Sequence, residues 1–590
     1  MNTHASSSPS ASYDVVIIGG GPGGSTLGSL LRKYNPELKV LILEKEHFPR
    51  DHVGESQLPP IGRVLHEMGA WDKIEAAGFP VKLGATYTWG KTTEPWVFGF
   101  IPAAEIKDTP RPGKYEGWRT RVAMQVDRAI YDDILLKHAA SLGCEVRQGV
   151  RVAKVHHEAA AGGPRITHIE TGEGERITAK HYVDASGNAA IIRRQLGIEV
   201  DAPKVLQNIA FWDYWERPGL NEALLNAKTV RIQIRSLAYG WIWYIALSND
   251  RTSVGLVCNA EYYKASGKRP GEIYSESLAA EPSVHALLQG ATSRSRVETT
   301  TDWSYVAQRA YGPNWFLCGE CLGFADPILS AGLTLTHTCA EHLACAILEL
   351  ERGQQDASWL RGQYEDVQQR RVRQHIKFAE YWYSANGLFK DILDNCSKIA
   401  ETAGLSLSPG EAFRWLSHGG IDDHLGQFAI GGLGLSGVKA VQHRLSHEGG
   451  EAVTCAIDGA THFKLNVAGA TQATMAAPQL GRVLKIKVLE RDGMRLPLVG
   501  HYQILQDVLA KESAAERVVA ALKQQLAAKY PNERNLGPVF SQAMQSLEAM
   551  TAQGWVECER RPSGTAIRMS IPEEGEIIYS EAKGPAARRV

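Results

Sequence analysis

A run of glycines near the N-terminus has the spacing needed to bind a phosphate-bearing cofactor. Residues 19–24 read Gly-Gly-Gly-Pro-Gly-Gly and fit the pattern G-x-G-x-x-G. In that pattern Gly19 permits a tight turn, Gly21 lets the backbone approach a pyrophosphate, and Gly24 lets the next helix pack closely on the strand. Amide groups at the start of that helix, around Pro22 and Gly23, would point at the phosphates.

The residues on both sides of the glycines predict a strand–helix–strand frame. Residues 13–18 form a short apolar run rich in β-branched side chains, and residues 25–32 have helical character. A second strand over residues 39–43 places Glu44 at its end, twenty residues after the last glycine. A carboxylate there would accept hydrogen bonds from a ribose, and Lys45 beside it is a further candidate contact. We therefore predict a dinucleotide site at the opening of a doubly wound parallel sheet.

The rest of the chain predicts a large mixed protein of the α/β (α+β) class. Its 590 residues exceed one small domain, and 44% hydrophobic with 22% charged residues is ordinary for a soluble globular protein. Strong alternation predicts an inserted antiparallel sheet on the substrate side, and helices followed by a hairpin over residues 555–571 predict a winged-helix-like module. The predicted parts are a disordered tail (1–12), an FAD-binding domain (13–385) whose antiparallel sheet covers about 205–310, a helical region (386–477) and the winged-helix-like module (478–590).

Charge and composition exclude several classes of function. The net charge is −1, so nothing overall attracts nucleic acid or an anionic membrane surface. No long apolar run predicts a membrane span. Nine irregularly spaced cysteines, and no His/Cys set with metal-ligand spacing, predict neither a disulfide framework nor a metal site. A reducing cytoplasm is the expected location.

Two later segments favour FAD as the cofactor. Residues 183–187 (Val-Asp-Ala-Ser-Gly, with Asp184) and residues 312–327 resemble the later FAD-contacting segments of the glutathione-reductase-like hydroxylases. That resemblance implies a Gly-Asp pair at the ribityl chain, and Gly319 and Glu320 stand there in this chain. Arg128 matches a position that often lies near the flavin; alternatively it is a solvated helix arginine. No second G-x-G-x-x-G follows, so reducing equivalents are expected to arrive from outside.

Three further segments resemble the flavin-dependent halogenases over residues 13–385. They are residues 54–56 (Gly-Glu-Ser), 240–246 (Gly-Trp-Ile-Trp-Tyr-Ile-Ala) and 324–332 (Phe-Ala-Asp-Pro-Ile-Leu-Ser-Ala-Gly). The second is similar to the family signature W-x-W-x-I-P, with Ala246 in place of the proline. The resemblance implies that Trp241 and Trp243 separate flavin from substrate; alternatively, the two indoles simply fill a core.

The third segment fits the family pattern F-x-x-P-x-x-S-x-G. Successive backbone N–H groups in a glycine-containing turn form a concave site for a small anion. The resemblance implies that the amides of Ala331 and Gly332 hold a halide in a turn shaped by Ser330. It also implies that Pro327, Gly332 and Leu333 lie against the cofactor.

The resemblance further implies an activity. Reduced FAD and O₂ would oxidise chloride or bromide to hypohalous acid, which would travel to a lysine and then halogenate an electron-rich ring. Lys82 followed by Leu-Gly-Ala, with Trp89-Gly90, fits the K-x-G-A-x-x-x-W-G arrangement of halogenases that act on phenols or carrier-bound pyrroles; Lys91 is the alternative. Leu329 occupies the position where tryptophan halogenases carry a glutamate, which favours a phenol or a pyrrole over an indole.

The implied partners are a separate flavin reductase and a small aromatic substrate, free or tethered to an acyl or peptidyl carrier protein. Tyr381, Trp382 and Tyr383 could close over that ring or belong to a core. One alternative is a flavin-dependent monooxygenase or reductase of the same fold that uses no halide. Another is a flavin-binding regulatory protein that uses the C-terminal winged helix, although no basic stripe predicts nucleic-acid binding.

Overall fold

The structure is a computed structural model that describes residues 12–90, 92–101, 105–107, 109–203, 207–226, 230–300, 304–392, 455–531, 536–569 and 578–580. The predicted tail over 1–11, Lys91, and most of the predicted helical region over 386–477 lie outside these residues. The chain divides into two compact units. The first comprises residues 1–84, 104–379 and 478–483, and the second comprises 85–103, 380–477 and 484–590.

The secondary structure of the described residues is mixed, as the sequence predicts. The strands are β1 Ser12–Ile18, β2 Val40–Glu44, β3 Val81–Lys82, β4 Gly84–Thr88, β5 Trp96–Gly99, β6 Ala123–Met124, β7 Glu145–Gln148, β8 Val152–Ala160, β9 Gly163–Thr171, β10 Arg176–Asp184, β11 Val200–Asp201, β12 Asn208–Glu216, β13 Ile232–Ser236, β14 Gly240–Ala246, β15 Arg251–Asn259, β16 Thr292–Ser293, β17 Glu298–Thr300, β18 Tyr305–Ala307, β19 Trp315–Leu317, β20 Gly323–Phe324, β21 His462–Leu465, β22 Thr471–Gln479, β23 Arg482–Arg491, β24 Met494–Pro497, β25 Val556–Glu559 and β26 Ile578–Ser580. The helices are α1 Pro22–Tyr34, α2 Pro60–Met68, α3 Trp71–Ala76, α4 Arg128–Ser141, α5 Ile191–Gln195, α6 Glu222–Asn226, α7 Ala260–Ser266, α8 Pro270–Ala280, α9 Pro282–Leu287, α10 Gly332–Arg352, α11 Ala357–Ser384, α12 Gly500–Leu509, α13 Ala515–Lys529 and α14 Gly537–Ala552.

A parallel sheet forms the frame of the first unit. Its strands run in the order β7-β2-β1-β10, and β19 pairs with β10 on the far side. The strand cores are apolar because both faces are covered, as is usual for parallel sheets; Val15, Val16 and Ile17 of β1 are fully buried. The carboxyl ends of β1, β2 and β10 therefore meet at one edge, where doubly wound sheets bind ligands. This confirms the predicted doubly wound opening.

An antiparallel sheet forms the other half of the first unit. It runs β16-β12-β15-β14-β13, with β17 also paired to β12. These strands span residues 208–300, which agrees with the substrate-side sheet predicted over about 205–310. A smaller ladder pairs β3 with β6, so that Lys82 lies opposite Ala123.

The second unit contains the last three helices, which enclose a core of their own that includes Leu505, Leu522 and Leu547. One part of the predicted winged-helix-like module is not seen in the described residues: 566–569, in the segment predicted as the second strand of the hairpin, form no strand. Instead β25 pairs antiparallel with β21, which lies ahead of the helices in the chain.

The aromatic triplet at residues 381–383 lies in the interior of the second unit. The side chains of Tyr381, Trp382 and Tyr383 are buried. Trp382 packs its ring against those of Tyr87 and Trp96 within the second unit, so the core interpretation of this triplet is the one that fits. Among the described helices, none is long and apolar enough to cross a membrane.

Candidate active site

The glycine turn between β1 and α1 has the shape that its sequence predicts. Gly19 adopts a φ of +108°, in the region that favours glycine. A Cβ on Gly24 would lie 1.9 Å from the carbonyl oxygen of Gly19, so only glycine lets the helix approach the strand. A Cβ on Gly21 would find its nearest neighbour, the Arg50 guanidinium, 3.7 Å away, so this backbone is open to a ligand. The arginine adds positive charge where a pyrophosphate would lie.

Glu44 ends β2 beside this turn. Its Oε2 accepts a hydrogen bond from the amide of Gly20 at 2.7 Å, and its Oε1 accepts one from the amide of Glu46 at 3.0 Å. A carboxylate has further lone pairs, so Glu44 can still accept from a ribose hydroxyl. Lys45 is largely exposed and lies 3.6 Å from Glu46.

A cavity of about 970 Å³ runs along this edge of the first unit. Its volume lies at the upper end for small-molecule and cofactor sites. The wall combines the glycine turn, the end of β2, the two tryptophans of β14 and the turn before α10. Of the predicted site residues, those that line the cavity are Gly19, Gly21, Pro22, Gly23, Glu44, Lys45, Arg128, Trp241, Trp243, Gly319, Glu320, Pro327, Ser330, Gly332 and Leu333. This set, with a glycine cradle at one end, fits an elongated dinucleotide such as FAD.

Arg128 is a buried charge in the cavity wall, so the interpretation of a solvated helix arginine is wrong. Its Nε and Nη2 donate to the two carboxylate oxygens of Asp132 at 2.7 and 2.9 Å, and its Nη1 donates to the Val53 carbonyl at 2.9 Å. Burial acts to raise the pKa of Asp132, but Arg128 outweighs it and holds that pKa below its usual value. Burial raises the pKa of Glu320, and the charge of Arg128 opposes the rise.

Asp184 does not line the cavity. Its Oδ2 accepts hydrogen bonds from the amides of Ile192 and Arg193 at 2.7 and 3.2 Å, and its Oδ1 accepts from the hydroxyl of Ser186 at 2.6 Å. The carboxylate therefore holds the start of α5 and the loop that follows β10. The cofactor contact predicted for this side chain is replaced by a role in shaping the cavity wall, to which Ser186 belongs.

The two tryptophans of β14 face the cavity together. The ring centroids of Trp241 and Trp243 are 6.1 Å apart, at an interplanar angle of 54°. Trp243 donates from its Nε1 to the Ser253 hydroxyl at 3.1 Å, and its ring covers Gly255, where a Cβ would come within 2.1 Å of it. Both side chains are mostly buried and both line the cavity, so they are wall residues rather than interior filler.

The segment before α10, the predicted anion turn, has the backbone geometry that such a turn requires. A short 3-10 helix, Pro327–Leu329, is followed by Ser330 at φ +57°, and Ala331 returns to the right-handed region before α10 begins. Alternation of left- and right-handed residues makes successive amides converge. The amides of Ala331 and Gly332 open a 21-residue helix, where no intrahelical acceptor exists and the helix dipole is positive. A Cβ on Gly332 would lie 2.7 Å from the Phe324 ring, which explains the glycine.

Lys82 lies in β3 and does not line the cavity. Its side chain is 2% exposed, and its Nζ donates to the carbonyl oxygen of Gln57 at 2.9 Å. Burial lowers the pKa of Lys82 to about 7. Ser56, the residue before Gln57, connects this segment to the turn before α10. Its hydroxyl accepts a hydrogen bond from the hydroxyl of Ser330 at 3.2 Å.

Comparison with known proteins decides the family. A family model described as an FAD binding domain matches residues 12–379. The 1H-pyrrole-2-carbonyl-(peptidyl-carrier protein) chlorinase of Pseudomonas fluorescens is 32% identical over 386 residues, which cover 64% of this chain and 85% of that protein. The chain belongs to the flavin-dependent halogenases. The tryptophan 2-halogenase of Chondromyces crocatus is also 32% identical, over 59% of this chain and 63% of that protein.

The fold of the halogenase agrees with solved structures. The crystal structure of the flavin-dependent halogenase CmlS matches 95% of this chain and 99% of that chain, with a TM-score of 0.70 and 23% identity. The family model and the curated relatives show that the halogenase is an oxidoreductase that uses FAD and a halide, as the sequence predicts.

Sequence reasoning missed three contributors to the halogenase site. Arg50 lies beside the glycine turn, but no spacing marks it. Glu55 and Ser56 lie in the segment 54–56 that resembles the halogenases, but the sequence predicts no role for either side chain. Ser56 contacts the anion turn, while Glu55 is buried with its carboxylate accepting from the Tyr214 hydroxyl at 3.1 Å. Their sequence position after Gly54, which has a φ of +99°, was the one available signal.

Proposed function

We propose that this halogenase places chlorine or bromine on an electron-rich pyrrole or phenol by passing hypohalous acid from the Ser330 turn to Lys82. The observation that carries the proposal is that two successive residues contact these two groups. Ser56 bonds to Ser330 at 3.2 Å, and Gln57 accepts from Lys82 at 2.9 Å. Successive Cα atoms are about 3.8 Å apart, so the turn and the lysine are attached to one point of the chain.

The lining of the cavity supports roles for the other predicted site residues. The glycine turn, Glu44 and Arg128 would hold FAD. When bound, reduced FAD would supply two of the four electrons that reduce O₂, the halide would supply the other two, and with one proton taken up the net products would be oxidised FAD, hypohalous acid and water. The amides of Ala331 and Gly332 donate to the halide and hold it in place. The indoles of β14 keep an aromatic substrate away from this part of the cavity.

Lys82 then directs the halogen. With its pKa lowered to about 7, much of this amine is neutral at neutral pH. The neutral amine can attack the halogen of hypohalous acid, forming an N–halogen bond and releasing water. The protonated amine can instead donate a hydrogen bond to the intact acid. From the N–halogen form, the ring carbon takes the halogen and loses its proton, and the nitrogen takes up a proton to restore the amine. From the intact acid, the ring carbon takes the halogen and loses its proton, and the hydroxide leaves as water.

The substrate class follows from Leu329 and from the relatives. A leucine before Ser330 offers no carboxylate to an indole N–H, whereas pyrroles and phenols activate their own rings. The relative of which this chain covers 85% is named for a pyrrole on a peptidyl carrier protein. We therefore propose a pyrrole-type or phenolic ring, free or tethered to a carrier, with a separate flavin reductase supplying reduced FAD.

Mass spectrometry of halogenated products tests this proposal. The protein would be incubated with FAD, a flavin reductase, NADH, O₂ and bromide, together with pyrrole-2-carboxylate on a peptidyl carrier, the free acid, or a phenol. The expected result is a bromine isotope pattern that disappears when bromide is omitted. Oxygenated product that forms equally well without halide would instead identify a monooxygenase.

Substitution of the lysine separates its role from cofactor binding. Lys82→Ala should keep bound FAD and O₂ consumption while losing halogenated product. Lys137→Ala is the matched control, because Lys137 is an exposed lysine of the same unit whose side chain is 74% exposed. Retained product formation in Lys82→Ala would remove the lysine from the mechanism.

A further inference from the structure

Gln125 is a buried polar side chain whose amide has no partner among the described residues. The residue is 0% exposed, and neither its Oε1 nor its Nε2 has a hydrogen-bond partner in the described parts of the chain. Leaving such a group unpaired opposes folding, and buried polar groups are nearly always hydrogen-bonded. The unpaired amide of Gln125 therefore indicates that a bound ligand supplies its hydrogen-bond partners.

One neighbour of Gln125 is Ser56, which contacts the anion turn. Gln125 faces Ser56 in an antiparallel bridge. The amide of Gln57 donates to the Met124 carbonyl at 3.1 Å and the amide of Val126 donates to Glu55 at 2.8 Å, so hydrogen bonds flank the bridge rather than join the pair itself. Side chains of such a pair point to the same face and approach closely. The amide of Gln125 therefore lies on the face of the Ser56 hydroxyl, which bonds to Ser330.

The other neighbour of Gln125 is the lysine. Lys82 lies opposite Ala123 in the β3–β6 ladder, and the amide of Gln125 continues this ladder by donating to the Pro80 carbonyl at 2.9 Å. Residues two apart on a strand share a face, so Ala123, Gln125 and Lys82 all point to one side. Diagonal neighbours of this kind are separated by about 7–8 Å. On this face Gln125 thus lies between Ser56, which bonds to Ser330, and Lys82.

The chemistry of the amide fits the species that must cross this space. Hypohalous acid carries one O–H donor and an oxygen that accepts, and a primary amide offers one acceptor and two donors. We infer that Gln125 binds hypohalous acid between the Ser330 turn and Lys82, its Nε2 donating to the acid oxygen and its Oε1 accepting the acid proton. This inference rests on the proposed function, and it adds a residue to which no role in the reaction was assigned.

Two variants that keep the size of the side chain test this role. Gln125→Leu and Gln125→Met should bind FAD and consume O₂ within about twofold of wild type. Halogenated product per O₂ should fall about tenfold or more. Hypohalous acid caught by a β-diketone trap in solution should rise in proportion, because the acid escapes before it reaches the lysine.

A stability measurement supplies a readout independent of turnover. Removing an unpaired amide should leave the urea unfolding midpoint unchanged or raise it. Gln369→Leu, the matched control, should lower it, because the Gln369 Nε2 donates to the carbonyls of Ala307 and Gln308 at 2.9 and 3.1 Å. The control should not change the ratio of trapped acid to product.

The outcomes separate this inference from the proposed function. A wild-type protein that makes no halogenated product contradicts the proposed function itself. A productive wild type whose Gln125 variants keep the same ratio of product to trapped acid overturns the inference alone. Loss of flavin, or of a cooperative unfolding transition, in both variants would assign the amide a structural role and overturn it as well.

Discussion

Replacing Lys82 with methionine should make the protein more stable and inactive at once. Lys82 is 2% exposed, and burial lowers its pKa from 10.5 to about 7. Because this pKa is lower in the folded state than in the unfolded chain, the unfolded chain binds more protons between these values. The charge of Lys82 therefore opposes folding below pH 7, and this penalty is relieved as the pH rises toward 10.5.

The size of the effect follows from the shift. At about 1.4 kcal/mol per pKa unit, the ionisation of Lys82 costs about 4 kcal/mol at pH 7 and about 2 kcal/mol at pH 9. Methionine removes this cost but leaves the Gln57 carbonyl, 2.9 Å from Nζ, without this donor. Leaving a buried acceptor unpaired costs about 1–3 kcal/mol. We expect Lys82→Met to gain about 1–3 kcal/mol over wild type at pH 7 and about 2 kcal/mol less than that at pH 9.

Urea unfolding of both proteins at the two pH values measures this difference. The change in midpoint multiplied by the slope gives the change in free energy, provided that the slope is unchanged. Product analysis of the same samples should show FAD retained and halogenation lost. A Lys82→Met protein that is less stable than wild type, with a difference that does not vary between pH 7 and pH 9, would refute the assignment of a desolvated lysine.

Three further predictions concern the cofactor and halide sites. Gly24→Ala should lose bound FAD, read from the flavin absorbance after gel filtration, because its Cβ would lie 1.9 Å from a carbonyl oxygen of the glycine turn. Gly332→Ala should keep FAD but raise the bromide KM about tenfold or more, since its Cβ would meet the Phe324 ring at 2.7 Å and shift the turn; an unchanged KM would contradict the anion turn. Asp132→Asn should destabilise the protein by about 3–5 kcal/mol at pH 7, measured by urea unfolding, because it leaves the buried Arg128 charge uncompensated. Since the pKa of Asp132 is lowered by folding, this difference should shrink as the pH falls below about 4.

The parts of the site that depend on local geometry could be predicted from the sequence. The glycine turn requires certain backbone angles and close approaches, and these are met by residue types at fixed spacing. Gly19 at φ +108° and Gly24 against a carbonyl are such cases. Glu44 follows from the length of one strand–helix–strand unit. The turn before α10 is likewise contained within nine residues, so the pattern around Ser330 predicts its backbone geometry without any distant contact.

The parts that depend on distant pairing could not be predicted. Ser56 and Gln125 are 69 residues apart and meet only through a bridge between segments that are too short to show a strand pattern. The resemblance of residues 183–187 to an FAD-contacting segment predicts Asp184 as a cofactor contact, but the start of α5 supplies backbone amides that donate to its carboxylate. At the C-terminus, β25 pairs with β21 instead of the next segment, because pairing depends on register across the fold rather than on neighbouring residues.

Burial is costly for two polar groups on one face of β6. Two buried charges elsewhere in the first unit are paired: Arg128 with Asp132, and Glu75 with Arg119 at 3.0 Å. On the face of β6, by contrast, burial works against the charge of Lys82, and the amide of Gln125 has no partner among the described residues. Groups that oppose folding persist where they serve a reaction, because selection for stability alone would replace them with apolar side chains. That both lie on the face reached from the Ser330 turn argues that the cost was kept for carrying the halogen.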